Sequence, residues 1–331
     1  MSYGAQTKFG IARQSVAGTA VTDATSFHAA AFTNEDVGLE VEELISQNLI
    51  GRFEEGAVYP GTNKIAGTIE MELTPRNLGI GLASVLNHSP VTVTSGSVKT
   101  YTFLPNTNDF SSFFCKAPFS IYKQFSDASS AELFYDCQFG QAEFVYATGA
   151  FVKGRLTVVG GTRSPTGVGS LAVTPDAADV ARLFPWNVCS VSYGGVGLSN
   201  MSEITISLNE NIQPLYTLSG TLAPFKFTRT APRQVSVNAT FYMTDRTFLN
   251  NFVTDTQARL LVTCINTRAA IQSGYYNLFT VDVPQAKITA FKPGASGPGE
   301  VSVPVRMRGV VDPSSFYALQ ATLMNTYAAG Y

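Results

Sequence analysis

One pattern occurs twice in this chain, and that repetition constrains the fold more than any other feature. The segment NKIAGTIEMELTPRNLGIGLASVL, from Asn63, aligns without a gap on PRQVSVNATFYMTDRTFLNNFV, from Pro232. An offset of 170 residues puts Ile65 on Val235, Ile69 on Ala239, Met71 on Phe241, Leu73 on Met243, Thr74 on Thr244, Arg76 on Arg246 and Leu78 on Phe248. Each copy reads as a strand followed by a capped helix. A duplicated module whose polar groups form no recognisable reaction centre points to assembly rather than catalysis.

At 331 residues the chain is long enough for two domains, each with its own core. The boundary falls near residue 165, in the stretch GGTRSPTGVGSLAVTPDA from Gly160, whose Gly, Ser, Thr and Pro content marks a linker. The expected domains are therefore 1–165 and 166–331. Charged residues make up 14% of the chain, below the roughly 25% of ordinary soluble domains, so much of the surface is expected to lie against partners. A net charge of -2 argues against a basic nucleic-acid-binding surface. The first half carries 11 Lys and Arg against 15 Asp and Glu, a balance of -4, and the second 11 against 9, a balance of +2. Opposite signs suit head-to-tail contact.

Cys115, Cys137, Cys189 and Cys264 are widely spaced and form no CxxC pair, which reads as buried free thiols in a reducing compartment. The opening MSYGAQTKFGIARQS lacks the n-region and h-region of a secretory signal, and no apolar run reaches the length of a membrane span. The expectation is a chain made and kept in cytoplasm until it assembles, with no membrane partner.

Alternation of apolar and polar residues, the period of a half-buried strand, recurs throughout. In residues 234–243, Val235, Val237, Ala239, Phe241 and Met243 share one face, and Gln234, Ser236, Asn238, Thr240 and Tyr242 the other. Similar patterns cover Leu39 and Val41 against Glu40 and Glu42, Ile69, Met71 and Leu73 against Glu70 and Glu72, Ile204 to Leu208, and Val301 to Met307. Short helices interrupt them. Thr74 reads as an N-cap with Pro75 behind it and Leu78, Leu82, Val85 and Leu86 on one face. Thr244 opens the second copy, and Asp312 with Pro313 is expected to cap a third helix carrying Phe316, Leu319 and Leu323. Gly79 and Gly81, each costing about 1 kcal/mol in a helix interior, imply close packing or fraying. In each half two strand patterns, Leu39–Leu44 with Lys64–Leu73 and Ile204–Leu208 with Gln234–Met243, are separated by a polar or aromatic-dotted stretch. That arrangement predicts a long hairpin with a large tip and an unpaired outer edge. Gly and Pro in FKPGASGPGE, from Phe291, mark another loop tip.

Reaction chemistry is sparse. His28 and His88 sit far apart in loop-like contexts without Cys or acidic neighbours at metal-ligand spacing. Ser296 lies in GASGP, which is not a nucleophile elbow, and no phosphate-binding GxxxxGK is present. SYGGVGLS, from Ser192, reads as a turn. The pairs Glu42–Glu43, Glu54–Glu55 and Glu70 with Glu72 admit a glycosidase reading, but a solvated strand face explains them more simply. Residues 34–73 hold nine acidic residues and two basic ones, a net -7 that repels nucleic acid. No catalytic residue, cofactor or metal is expected.

Three stretches carry a family resemblance: GRFEEGAVYPGTNKIAGTIEMELTPRNLGIGLASVL, then CQFGQAEFVYATGAFVKGRLTVVGG from Cys137, then EITISLNENIQPLYTLSGTLAPFKFTRTAPRQVSVNATFYMTDRTFLNNF from Glu203. Together they resemble the two-domain major tail tube protein of long-tailed bacteriophages (siphophages), over nearly the whole chain. The resemblance implies a mainly β fold of two tandem β-sandwich domains, each with a short flanking helix and a long hairpin contributing to an inner barrel. It implies a non-enzymatic virion protein, assembled in the host bacterial cytoplasm, that stacks as rings into the hollow tail through which genomic DNA passes without specific binding. Its partners would be further copies of itself, the tape measure protein, the tail terminator and tail tip proteins. A duplicated subunit suits a trimer that mimics a six-fold ring, with Glu40, Glu42, Glu70 and Glu72 and Ser236, Asn238 and Thr240 lining the lumen. A distal tail or baseplate ring protein, and a tandem-sandwich carbohydrate-binding adhesin using some of the 14 Tyr and 23 Phe, are the alternatives.

Overall fold

A computed structural model describes residues 7–46, 57–86, 91–105, 111, 114–125, 130–164, 169–174, 176, 179, 181–218, 220–242, 246–293, 301–327 and 331. The chain is mainly β, in the β-sandwich arrangement that the alternating pattern dictates. Eight strands form its organising sheet: β1 (Gly38–Ile45), β2 (Val58–Glu72), β3 (Phe139–Ala147), β4 (Lys153–Val159), β5 (Met201–Asn209), β6 (Gln234–Tyr242), β7 (Tyr275–Phe291) and β8 (Ser302–Val310). They lie in the order β1-β2-β4-β3-β5-β6-β8-β7, every pair antiparallel. The first four come from one repeat and the last four from the other, in matching order. Each set is a hairpin (β1 with β2, β5 with β6) followed by a second hairpin whose later strand sits inward.

The repeat extends beyond the similar residues. A one-residue bulge interrupts β3 between Phe139 and Gln141 where it pairs with β4, and β7 is interrupted between Ile288 and Ala290 where it pairs with β8. Counting along the ladders from the aligned residues of β2 and β6 brings Gly140 onto Thr289, so the two bulges fall at equivalent positions. Bulges bend a strand and intensify its twist. Both copies therefore curve at the same place.

The period-two pattern sends one face of this sheet inward. Ile65, Ile69, Met71, Ile206, Leu208, Val235, Val237, Val305 and Met307 are all buried. They meet an outer layer made by Gln257–Gln272, the first half of β7, Gln320–Asn325 and Val98–Phe103. A further sheet, containing Lys8–Arg13, Phe119–Gln124 and Ala131–Cys137, closes the first half. Ring contacts such as Phe144 with Phe279, at 5.5 Å, tie the layers together. Each such side chain, fully buried, contributes roughly 1.5–3 kcal/mol. The sheet runs across residue 165, and so does this apolar cluster, which spans Phe9 to Tyr331. Residues 165–168 of the expected linker lie outside the described residues.

Helix α1 (Pro75–Val85) starts as its sequence indicates. The Thr74 hydroxyl accepts from the Asn77 backbone N–H at 3.3 Å, and the Asn77 side-chain oxygen accepts from the Thr74 N–H at 2.7 Å, a reciprocal capping box. Gly79 lies against the Tyr331 ring so closely that an added Cβ would fall 2.0 Å from it. Close packing, not fraying, accounts for that glycine. Helix α2 (Thr247–Val253) begins later than expected, behind Arg246, which makes no side-chain cap bond; Thr244 lies outside the described residues.

Two expectations are corrected. The helix expected behind Asp312 does not form: Asp312 accepts from the Ser315 N–H at 2.9 Å to close a turn, and Gln320–Asn325 is a strand. Its Ala321, Leu323 and Asn325 alternate inward and its two edges pair with β7 and Val98–Phe103, an arrangement that satisfies the backbone on both sides. Cys189 and Cys264 are not free thiols; they stand directly opposite each other on paired strands and form a disulfide. Cys115 and Cys137 are buried and form no disulfide, and burial raises the Cys137 thiol far above its ordinary range.

Candidate functional site

The outward face of the eight-stranded sheet gathers every residue singled out as lumen-facing. Residues directly opposite in antiparallel strands point to the same side, so the register defines rows across the sheet. One row runs Glu70, Arg155, Glu143, Ser207, Ser236, Arg308 and Lys287. The next runs Glu72, Lys153, Val145, Thr205, Asn238, Arg306 and Ala290. Thr240 lies on this face too, opposite Glu203 and Pro304. Glu40 faces Lys64 across the β1–β2 hairpin with an ion pair at 3.5 Å, and Glu42 accepts a hydrogen bond from the Thr62 hydroxyl. Alternation on strands separated by over 160 residues thus converges on one surface. Glu54 and Glu55 lie outside the described residues, as do His88 and Ser296.

The face is of mixed sign. Glu70 pairs with Arg155 at 3.5 Å, both about half exposed, and Glu143 accepts from the Ser207 hydroxyl at 2.9 Å. An exposed pair of this kind is worth at most about 1 kcal/mol, so its consequence is for surface charge rather than stability. Carboxylates dominate the first repeat (Glu40, Glu42, Glu70, Glu72, Glu143) and cations the second (Lys287, Arg306, Arg308). These cations lie outside the acidic hairpin of residues 34–73, so its charge alone does not reveal them. The signal was nonetheless present, since Val301 to Met307 alternates and places Arg306 opposite the apolar side.

Between the repeats β3 and β5 are joined by regular pairing from Gln141 opposite Asn209 to Ala147 opposite Glu203. Just past the end of this ladder Glu210 donates its N–H to the Gly140 carbonyl at 2.8 Å. The Glu210 carboxylate is fully buried and held by Arg233 at 2.6 Å and Arg229 at 3.1 Å. Lys116, buried nearby, donates to the Val85 and Phe139 carbonyls; desolvation pulls its ammonium down to about 8, against the attraction of Glu210. A cluster of charges therefore pins the junction, where a wrong register would strand an ion in the interior.

At the ends of the sheet the pairing stops. Among the described residues β1 pairs only with β2, and β7 has no strand on its outer edge beyond Lys287. Leu39 and Val41 of β1 are 45% and 47% exposed, whereas Leu208, the counterpart of Leu39 at the internal junction, is 1% exposed.

Reaction chemistry is absent from this surface. Among the described residues no group of His, Cys, Asp and Glu is arranged to hold a metal ion. His28 is not in a loop: it belongs to the short strand His28–Ala29, its ring 5.4 Å from that of Tyr331, and burial followed by the nearby Arg76 charge lowers its imidazole to about 4. Gly194 and Gly195 take positive φ in the turn of SYGGVGLS, as a turn requires.

A duplicated β-sandwich with one shared sheet and an unpaired strand edge has the architecture of a module that assembles edge to edge. More particularly, the family model described as phage tail tube protein matches residues 4–309, and the chain belongs to that family. It is a structural component of a virion tail, not an enzyme. Among solved structures it is similar to a chain in the tail of an empty GTA particle, determined by helical refinement with C6 symmetry, at 16% identity over 37% of this chain and 90% of that one. The TM-score is 0.28, too low to carry an argument. No curated protein sequence matches.

Proposed function

We propose that three copies close into a ring whose inner wall is the eight-stranded sheet repeated three times, and that rings stack into the tail tube. The observation that carries this is the strand order: two four-stranded sets in one sheet, in matching sequence, with β1 open along its outer edge and β7 open beyond Lys287. Three copies give about 24 strands; at ~4.8 Å spacing and ~40° tilt the circumference is roughly 150 Å and the backbone diameter about 48 Å. Side chains of ~5 Å on each side leave a bore of about 38 Å, ample for duplex DNA with a major groove ~12 Å wide. In this reading residues 1–165 and 166–331 are the two repeat units, Glu40, Glu42, Glu70, Glu72, Ser236, Asn238 and Thr240 face the lumen, and the tape measure, terminator and tip proteins bound the tube of a siphophage-type tail assembled in the bacterial cytoplasm.

Carboxylates interleaved with cations offer sliding DNA no continuous basic track, and so no counterion release to drive tight binding. Replacing Glu70 and Glu72 together with Lys is expected to leave tubes intact and slow DNA ejection; unchanged ejection kinetics would remove these two residues from the lumen. The reading itself is tested by negative-stain electron microscopy of the concentrated protein. Hollow stacked rings with three-fold averages are expected, and six-fold averages would overturn the count of three.

A further inference from the structure

We infer that the seam between neighbouring chains copies the seam inside the chain, with the end of β7 pairing antiparallel to β1 of the next copy in a register set by Phe291 opposite Leu39 and Ala290 opposite Glu40. The inference rests on the ring proposed above. It adds which edges meet and which residues face each other.

The register follows from the repeat. Inside the chain, β3 meets β5 with Gln141 opposite Asn209 and Ala142 opposite Leu208. Gly140 and Thr289 are the equivalent bulge residues, so Gln141 corresponds to Ala290, Ala142 to Phe291 and Phe144 to Pro293. Ile65 corresponds to Val235, and their hairpin partners are Leu39 and Leu208; Glu40 therefore corresponds to Asn209 and Val41 to Glu210. Substituting these equivalents into the internal seam gives the external one.

Backbone direction agrees with this assignment. In β1 the Asp36 N–H points to β2, donating to the Thr68 carbonyl at 3.1 Å, so the backbone groups of Val37, Leu39 and Val41 point to the open side. Phe291 turns its N–H and C=O outward as its counterpart Ala142 does, two residues on from the Gly140 carbonyl that accepts from the Glu210 N–H. Phe291 and Leu39 then exchange hydrogen bonds. The Val41 N–H reaches the Thr289 carbonyl, as the Glu210 N–H reaches that of Gly140 inside the chain.

One position tests the register from within. The equivalent of Phe144 is Pro293, which has no N–H, so the Val37 carbonyl that faces it in the seam needs another donor. The chain supplies one: Lys123 Nζ donates to the Val37 carbonyl at 3.2 Å while pairing with Glu35 at 2.9 Å. Side chains fit as well. Leu39 comes to lie beside Phe291 on the core side, and Glu40 and Glu42 of one copy approach the cationic end formed by Lys292, Arg306 and Arg308 of the next, where Lys287 is already paired with Asp255 at 2.8 Å.

Ala290 with Glu40, and Lys292 with Gly38, are the close, non-hydrogen-bonded pairs of this seam, with Cα atoms about 4.5 Å apart, within reach of a disulfide. The test is oxidative cross-linking of the full chain under assembly conditions, carrying Glu40→Cys with Ala290→Cys or, independently, Gly38→Cys with Lys292→Cys. Both double variants are expected to give covalent dimers and closed trimers on a non-reducing gel, at least ten-fold more than either single variant or the slipped pair Glu42→Cys with Ala290→Cys. Faster linking of the slipped pair, or no linking of any pair in preparations that show rings by electron microscopy, would overturn the seam and leave the ring standing. Absence of rings from the wild-type chain and every variant would overturn the ring and the seam with it.

Discussion

Helices α1 and α2 begin from the same repeated pattern and end in opposite environments. Ten of the eleven residues of α1 are buried, and none of the seven of α2 is. The difference comes from what lies over each one. The strand Gln320–Asn325 and the last residue, Tyr331, return over α1, where the Tyr331 hydroxyl donates to the Pro75 carbonyl at 3.2 Å and the Asn325 amide donates to that hydroxyl at 2.7 Å. Helix α2 rests on β7 and on β6, where Phe248 meets Phe241 at 4.4 Å, and leaves Val253 73% exposed. A repeat in sequence fixes which elements form; burial depends on which distant segment arrives to cover them.

The seams show the same contrast and carry the largest expected effect. Glu210 and Val41 hold equivalent places, one inside the chain and one at its open edge. Glu210→Ala removes the carboxylate shared by Arg229 and Arg233 and is expected to cost about 3–5 kcal/mol. Val41→Ala should cost the unassembled chain less than about 0.5 kcal/mol. Urea unfolding of the two variants measures the gap, and equal costs would break the comparison.

Among apolar truncations, Leu82→Ala in α1 is expected to lose about 2–5 kcal/mol, since the cavity is walled on all sides. Val253→Ala in α2 should stay within about 0.5 kcal/mol of wild type in the same assay. A large loss at Val253 would mean that α2 is covered in solution.

Acid is expected to act on the α1 side. His28, packed on Tyr331, has its imidazole depressed to about 4 by burial, while the unfolded chain titrates near 6.5. The unfolded state therefore takes up the proton first. The contribution is complete above about pH 6.5 and is lost as the pH falls toward 4, amounting to about 3 kcal/mol at most. Denaturation midpoints at pH 7.5 and 4.5 should converge in His28→Phe relative to wild type; an unchanged acid sensitivity would detach His28 from it.

The smallest effects concern the caps. Thr74→Ala is expected to cost about 1 kcal/mol, whereas Arg246→Asp, which installs a cap where none exists, should gain about 0.5–1 kcal/mol. Thermal melts of the two variants should shift in opposite directions.

Much of this was legible from local pattern. Period-two alternation in 234–243 and 64–73 gave both hairpins and the face on which Glu70, Asn238 and Thr240 lie, because side-chain direction in a strand is a local property. Thr74 and Pro75 announced α1 for the same reason. The misread segments were those where a distant partner decided. Asp312 and Pro313 carry a helix-start signal, yet Gln320–Asn325 became a strand because two edges waited for it. Cys189 and Cys264 are 75 residues apart and became neighbours only through strand register.

Sequence alone therefore determined the duplication, the strand-then-helix unit repeated in each copy and the polar face of each hairpin, since these depend on residues a few positions apart. Tertiary structure alone decided that two four-stranded sets join through β3 and β5 into one sheet, that cations from the second copy share the face with carboxylates from the first, and that one helix is roofed while its twin is bare. Those outcomes depend on pairings between residues from 56 to more than 200 positions apart, where the spacing of residues in the chain no longer fixes their distance in space.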